Sequence, residues 1–189
     1  MIRTGQTIEN PATGERLTFR QTSRDTGGEY VVVETALQLG ATVAAAHVHP
    51  CQTERFEVVE GTVGLQVGRE KVEAGPGEVV TVEPGVAHRF YNAGSGEARF
   101  VCRISPALGF EELIETMFGL AVDGKTSRKG MPNPLRLAVI ARYHFDDVRL
   151  PFIPHTLQRA ALAMGAPLGR ALGYGPVYEP AGEAEAVVA

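Results

Sequence analysis

Three of the five histidines in this 189-residue sequence fall in two short segments that also hold a glutamate. His47 and His49 are two residues apart in a stretch that is predicted to be a strand. Because side chains alternate between the two faces of a strand, both imidazoles would then point the same way. After a turn at 50–53, Glu54 opens the next predicted strand, and His88 opens a later one. Imidazole nitrogens and a carboxylate oxygen together are ligands for divalent transition metals.

The predicted surroundings of the two later residues favour the same chemistry. Alternation puts Glu54 on the face of Phe56 and Val58, and His88 on the face of Phe90. That face is the apolar interior, where a carboxylate without a partner or a bound cation is very costly to bury. We therefore predict one divalent transition metal per chain, which would be Fe, Mn, Ni, Zn or Cu.

The spacing of these residues resembles the two sequence motifs of the cupin superfamily. The first motif is matched by Gly40, His47, His49, Glu54 and Gly61, and the second by Gly77, Pro84, Gly85, His88 and Asn92. Glu83 stands where the family usually has a first proline, and Pro84 follows it. The resemblance covers roughly residues 8–106 and implies a mainly β fold, a cupin jelly-roll β-barrel. It also implies that His47, His49, Glu54 and His88 bind the metal inside that barrel.

The resemblance suggests an activity as well. Quercetin-dioxygenase-like cupins are weakly similar, and by analogy Glu54 would be both a ligand and the catalytic base. The leading hypothesis is a metal-dependent, dioxygenase-like oxygenase acting on a small, largely apolar organic molecule. Two alternatives stay open. One is a non-redox metal enzyme (an isomerase, lyase or decarboxylase), and the other is a non-catalytic cupin that binds a small molecule.

Short Val-rich runs between Gly and Pro residues predict the strands of the barrel. They cover 17–21, 29–39, 43–49, 54–60, 62–67, 78–82, 88–91 and 98–104. After Pro106 the apolar spacing changes to three and four residues, which predicts helices over 110–122, 135–143 and 156–172, with prolines at 151, 154 and 167 as breaks. We expect a barrel domain at 8–106, a helical extension at 107–175 that packs on the barrel or on a partner subunit, and a disordered tail at 176–189.

Composition limits the remaining roles. The net charge is −4 and no long cluster of Lys and Arg occurs, so a nucleic-acid partner is not expected. No apolar run reaches the roughly 18 residues of a membrane span. Cys51 and Cys102 are expected to be free thiols of a cytoplasmic protein, because no apolar leader is recognised. A homodimer is expected, since single cupins commonly pair and sheet edges need cover.

Several other residues have ordinary interpretations. His144 and His155 are expected to be surface or packing histidines, and Asn92 is expected to stabilise a turn. Phe56, Phe90 and Phe100 should line the barrel as core residues.

Overall fold

The computed structural model of the chain describes residues 1–43 and 45–180. In that part of the chain, nine strands form two antiparallel sheets. The strands are β1 Thr7–Asn10, β2 Glu15–Gln21, β3 Val31–Leu37, β4 Thr53–Glu60, β5 Val63–Val67, β6 Glu70–Ala74, β7 Val79–Val82, β8 His88–Asn92 and β9 Ala98–Ser105. The larger sheet has the order β1-β2-β3-β9-β4-β7 and the smaller one β6-β5-β8. The mainly β jelly-roll fold predicted from the sequence is confirmed.

Alternate residues of the long central strands build the interior. Val33 on β3 lies opposite Cys102 on β9, and Cys102 lies opposite Phe56 on β4, and all three side chains are buried. Burying one such aliphatic or aromatic side chain stabilises the fold by about 1.5–3 kcal/mol. The same alternation carries Glu54 to the interior, two residues before Phe56 and opposite Ile104. The core pattern of β4 therefore forces a carboxylate inside.

The corner between β4 and β5 is made by Gly61, whose φ is +71°. A Cβ atom there would also meet the main-chain oxygen of Glu97 at 2.7 Å. Glycine is required at this position by both backbone conformation and space. The turn directs β5 into the smaller sheet, which pairs with β8 and so brings His88 into the barrel.

The segment that carries the His-x-His pair is not the strand predicted over 43–49. In its described residues, 43 and 45–49, only isolated bridges form, from His47 to His88 and from Val48 to Arg149. This prediction was wrong because each of the two residues pairs with a different neighbour, so no continuous ladder develops. The single bridges nevertheless hold the segment extended across the mouth of the barrel.

Three helices follow the barrel: α1 Phe110–Val122, α2 Pro134–Tyr143 and α3 His155–Ala171. Asn133 caps α2 by accepting a hydrogen bond from the backbone N–H of Leu135, and Pro134 fits the first helical position, which needs no donor. Pro167 does not break α3, contrary to the sequence prediction. Gly169 lets α3 approach α2, because a Cβ there would lie 2.4 Å from the main-chain oxygen of Leu135.

The extension is attached to the barrel at several points. Glu111 of α1 accepts a hydrogen bond from the backbone N–H of Ser23 at 3.2 Å. The chain after α3 returns to α1, where the backbone N–H of Tyr178 donates to Thr116 Oγ1 at 3.2 Å. Of the tail expected to be disordered, 176–189, residues 181–189 lie outside the described residues. In the described residues, none of the helices has the length and apolar character needed to cross a bilayer.

Candidate metal centre

All four residues singled out in the sequence meet at one point inside the barrel. His47 and His49 come from the segment before β4, Glu54 from the start of β4, and His88 from the start of β8. The backbones of His47 and His88 pair through two hydrogen bonds of 3.0 and 2.9 Å. The candidate ligand atoms of the four side chains lie within 4.8 Å of one another. The arrangement is that of a binding site for one small ion.

The three imidazoles are each oriented by a hydrogen bond to a main-chain oxygen. The Nδ1 of His47 donates to Ala45, at 2.9 Å, and that of His88 donates to Val86, at 3.0 Å. The Nδ1 of His49 donates to Asp147 at 2.7 Å. Because a carbonyl can only accept, the proton must lie on Nδ1 in all three rings. The Nε2 atoms of the neutral rings are then left with a free lone pair, as metal ligation requires.

Two polar atoms at the centre of the cluster lack a hydrogen-bond partner in the described part of the chain. Glu54 Oε2 and His88 Nε2 are 2.6 Å apart, yet neither has a hydrogen bond of good geometry among the described residues. The second carboxylate oxygen, Glu54 Oε1, lies 3.7 Å from His49 Nε2. Buried polar atoms without partners are rare in folded proteins and indicate a ligand or an ion. With the proton of His88 on Nδ1, the short contact brings a lone pair of Nε2 and a lone pair of Glu54 Oε2 together. A bound cation would remove the repulsion between them.

The charges of the site agree with this interpretation. Burial, helped by the neighbouring His49 and His88, lowers the pKa of His47 to about 3, so this ring is neutral at ordinary pH. Burial alone would raise the pKa of Glu54, but the three histidines outweigh it and lower that pKa to about 2. His47 therefore offers a neutral imidazole and Glu54 an ionised carboxylate, whereas burial lowers the pKa of His88 but Glu54 outweighs it and raises that pKa. Three nitrogens and one oxygen suit Fe, Mn, Ni, Zn or Cu better than Mg or Ca, so the residues fit a transition metal.

The comparison with family models identifies the domain that carries the site. A model described as the cupin domain matches residues 33–104, which span β3 to β9 and include all four residues. Residues 33–104 therefore form a cupin domain. A comparison of the sequence with curated proteins returned no significant match.

Solved structures share the fold of this cupin at low sequence identity. KdgF from Halomonas sp. is 15% identical, with a TM-score of 0.50 over 58% of this chain and 94% of its own. A predicted oxalate decarboxylase from Thermotoga maritima is 18% identical, with a TM-score of 0.49 over 56% and 98% of the two chains. The polyketide cyclase RemF from Streptomyces resistomycificus is 20% identical, with a TM-score of 0.45 over 55% and 70%. The likeness to KdgF concerns the fold alone, and the two weaker likenesses carry no further conclusion.

A cavity of about 520 Å³ opens beside the candidate metal centre, and three of the four candidate ligands line it: His47, His49 and Glu54. Its walls within the barrel are mostly apolar and include the rings of Phe56, Phe90 and Phe100, which contact one another at tilted and edge-to-face angles. The three helices cover its outer part with apolar side chains, among them Met117 of α1 and Ile140 of α2. A cavity of this size and character suits a small, largely apolar organic molecule.

The extension contributes directly to the centre, which sequence reasoning missed. The backbones of Val48 and Arg149 pair through two hydrogen bonds of 2.9 Å, and Asp147 supplies the oxygen that orients His49. The side chain of Asp147 in turn accepts a hydrogen bond from His144 Nδ1 at 2.7 Å. His144 is buried and contacts no candidate ligand, in line with the packing role expected for it. Every residue type carries a main-chain oxygen, so no residue pattern could have predicted this contact.

The remaining residues named from the sequence lie away from the candidate ligands. The side-chain amide of Asn92 donates to the main-chain oxygens of Leu37 and Gly96, so it ties two turns together, as expected. Cys51 and Cys102 are free thiols, the first exposed and the second buried in the barrel wall. Burial raises the pKa of Cys102 well above its ordinary value, so this thiol stays protonated and unreactive.

Proposed function

We propose that this cupin is a metal-dependent oxygenase that acts on a small, largely apolar organic molecule. In this proposal His47, His49, Glu54 and His88 bind one divalent transition metal. The observation that carries the proposal is the position of the cluster. The cluster of three imidazoles and one carboxylate presents His47, His49 and Glu54 at the wall of an apolar, helix-covered cavity.

The chemistry divides between the metal and the chain. A bound transition metal would supply a Lewis acid and the capacity to activate dioxygen. The apolar walls of the cavity would bind the substrate and exclude water from the reacting atoms. Glu54 would hold a proton taken from the substrate on one of its carboxylate oxygens, because it is the ionised group closest to the centre.

The lining of the cavity near the centre favours an apolar substrate over a sugar-like one. Among the described lining residues near the centre, the polar groups other than the candidate ligands are Gln158 and Arg149. The side-chain amide of Gln158 donates to the main-chain oxygens of Leu150 and Ile153, and the guanidinium of Arg149 donates to the main-chain oxygen of Phe145. A sugar-like substrate would need many more free donors and acceptors. An apolar substrate and dioxygen need none.

Oxygen uptake tests the proposal. The protein is loaded separately with Fe, Mn, Ni, Cu or Zn, and oxygen consumption is measured with a panel of apolar phenols and diketones. We expect substrate-dependent uptake with at least one redox-active metal and none with Zn. Turnover that continues under nitrogen would identify a non-redox enzyme instead. Substrate binding without turnover under any condition would identify a binding protein.

We further propose that residues 107–175 form an integral cover of the barrel and that the protein is a cytoplasmic homodimer. The exposed face of α3 supports the dimer, because Met164, Leu168 and Leu172 are each more than half exposed there. Two free thiols agree with a reducing compartment. Light scattering should give about twice the chain mass of 20.2 kDa. A monomer across micromolar concentrations would contradict the dimer.

A further inference from the structure

The cavity has a second polar region, at the end of the barrel opposite the metal centre. Asn10 at the end of β1 and Glu15 at the start of β2 lie directly opposite each other and both line the cavity. Thr35 on β3 lines it in the adjacent row, opposite Leu17. The exposed fractions of Asn10, Glu15 and Thr35 are 3%, 6% and 2%. Three buried polar side chains therefore meet at one end of an otherwise apolar space.

These side chains keep unused hydrogen-bonding capacity. Asn10 Oδ1 accepts from the backbone N–H groups of Ala12 and Thr13, but its NH₂ group has no partner among the described residues. Glu15 Oε2 accepts from Thr13 Oγ1 at 2.6 Å, and no hydrogen bond to Glu15 Oε1 is found in the described chain. The side chains of Asn10 and Glu15 are buried, yet this donor and this acceptor face the cavity without a protein partner among residues 1–43 and 45–180, so they are available to a ligand group.

The register of the sheet gives the separation of the two polar regions along the strand direction. Glu15 lies opposite Leu37, and Leu37 lies opposite Ala98 on β9, whereas Glu54 lies opposite Ile104 on the same strand. A strand rises about 3.3 Å per residue, so the rows of Ala98 and Ile104 are about 20 Å apart. The wall between them is formed by apolar residues of β2, β3, β4 and β9, such as Leu17, Val33, Phe56 and Phe100.

We propose that Asn10 and Glu15 form a second binding subsite, which holds a hydroxyl group at the far end of an elongated apolar substrate. A hydroxyl can accept from the Asn10 NH₂ group and donate to Glu15 Oε1 at once, which matches the two unused groups. The proposal rests on the proposed function only in that the other end of the molecule lies at the metal centre.

The protonation of Glu15 supports this choice of ligand group. Burial raises its pKa to about 7, and the hydrogen bond from Thr13 opposes the rise only in part. Near neutral pH the carboxyl can therefore receive a neutral donor without the cost of a fully buried charge. A substrate carboxylate would be repelled by the ionised fraction of Glu15.

The experiment compares two probes that differ by one donor, 1-decanol and its methyl ether, by isothermal titration calorimetry. We expect the wild-type protein to bind the alcohol about tenfold more tightly, the effect of one buried hydrogen bond. Glu15→Met, which keeps the approximate shape, should abolish that preference, whereas Glu15→Gln should retain it. Glu9→Met, on the outward face of β1, is the matched control. Circular dichroism checks that each variant is folded.

The outcomes separate this subsite from the metal centre. A preference lost in Glu54→Gln but kept in Glu15→Met would place the hydroxyl at the metal and overturn the proposal. No preference in the wild-type protein, or no binding of 1-decanol, would overturn it too. Tighter binding of decylamine than of 1-decanol would show that the subsite takes a cation instead. Loss of the preference in Glu15→Met supports the subsite even if no oxygenase activity is ever measured.

Discussion

The imidazole of His49 and the main-chain oxygen of Asp147 are joined by a hydrogen bond of 2.7 Å. The donor belongs to the barrel and the acceptor to the segment between α2 and α3. The orientation of one candidate ligand is therefore set by a part of the chain outside the region that matches the cupin family. Folding of the extension and completion of the metal centre are coupled through this contact.

Removing a ligand should abolish metal binding. We expect His47→Ala and His88→Ala to retain well under one metal per chain by elemental analysis, because each leaves at most three donors at the centre. The unchanged circular dichroism spectrum of each variant would show that the barrel still folds. His155→Ala is the control, since His155 is exposed at the start of α3. Full metal content in either ligand variant would remove that residue from the site.

Replacing Glu54 by Gln tests its role as a base. The substitution keeps the shape and one oxygen donor but removes the charge. If Glu54 accepts a substrate proton, turnover should fall by about a hundredfold or more while metal content stays near that of the wild type. Metal stoichiometry and oxygen uptake are measured on the same preparation. Normal uptake with one metal bound would show that Glu54 acts as a ligand alone.

The contact between the extension and the metal centre predicts an effect at Asp147. Asp147→Ala leaves the buried Nδ1 of His144 without its acceptor and loosens the turn that presents the oxygen to His49. Because groups that orient metal ligands typically affect affinity 10–100-fold, we expect metal affinity to fall by about tenfold in a chelator competition.

The neighbouring Asp146→Ala is the matched control, because Asp146 is exposed and, among residues 1–43 and 45–180, its side chain bonds Arg149 and Arg159. Equal affinities for the two variants, with a lower melting temperature for Asp147→Ala, would show that the side chain stabilises the extension without positioning His49.

Glu15 should make stability depend on pH. Its pKa is raised from 4.5 to about 7 in the folded protein, so between these values the folded state keeps a proton that the unfolded state has lost. The wild-type protein should therefore lose stability relative to Glu15→Gln as pH rises from about 4.5 to 7. At roughly 1.4 kcal/mol per pH unit, the full difference is about 3 kcal/mol and stays constant at higher pH. Urea unfolding at pH 4 and pH 8 measures it, with Glu9→Gln as the control. A constant difference across this range would place the pKa of Glu15 near its ordinary value.

The sequence predicted the metal centre better than its surroundings. Glu54 and His88 could be placed in the interior because alternation along a strand and the cost of burying a carboxylate both act locally, and the resemblance to the cupin motifs grouped them with His47 and His49. The strand predicted over 43–49 failed because the pairing partners of His47 and Val48 are remote, one of them in the extension. Which helices would cover the cavity could not be derived, since an apolar face predicts burial but not the surface that buries it.

Only one half of the proposed subsite, the inward orientation of Glu15, could have been found from the sequence. Glu15, Leu17 and Phe19 alternate in the pattern of an inward face, but a predicted strand that began at 17 left Glu15 out of it. The pairing of Asn10 with Glu15 could not be predicted, because it depends on the turn between β1 and β2. Turn geometry at the edge of a sheet is not determined by alternation alone.

The imidazoles of His47 and His88 are held by main-chain oxygens at Ala45 and Val86, which almost any residue at those positions would supply. Substitutions at 45 and 86 should thus be tolerated in a mutational scan, as long as the side chain fits. Deleting or inserting a single residue between 45 and 47, or between 86 and 88, would instead move the oxygen away from its ring. We therefore expect these two contacts to tolerate a change of residue type but not the insertion or deletion of a residue beside them. A scan of single insertions and deletions should locate them better than an alanine scan.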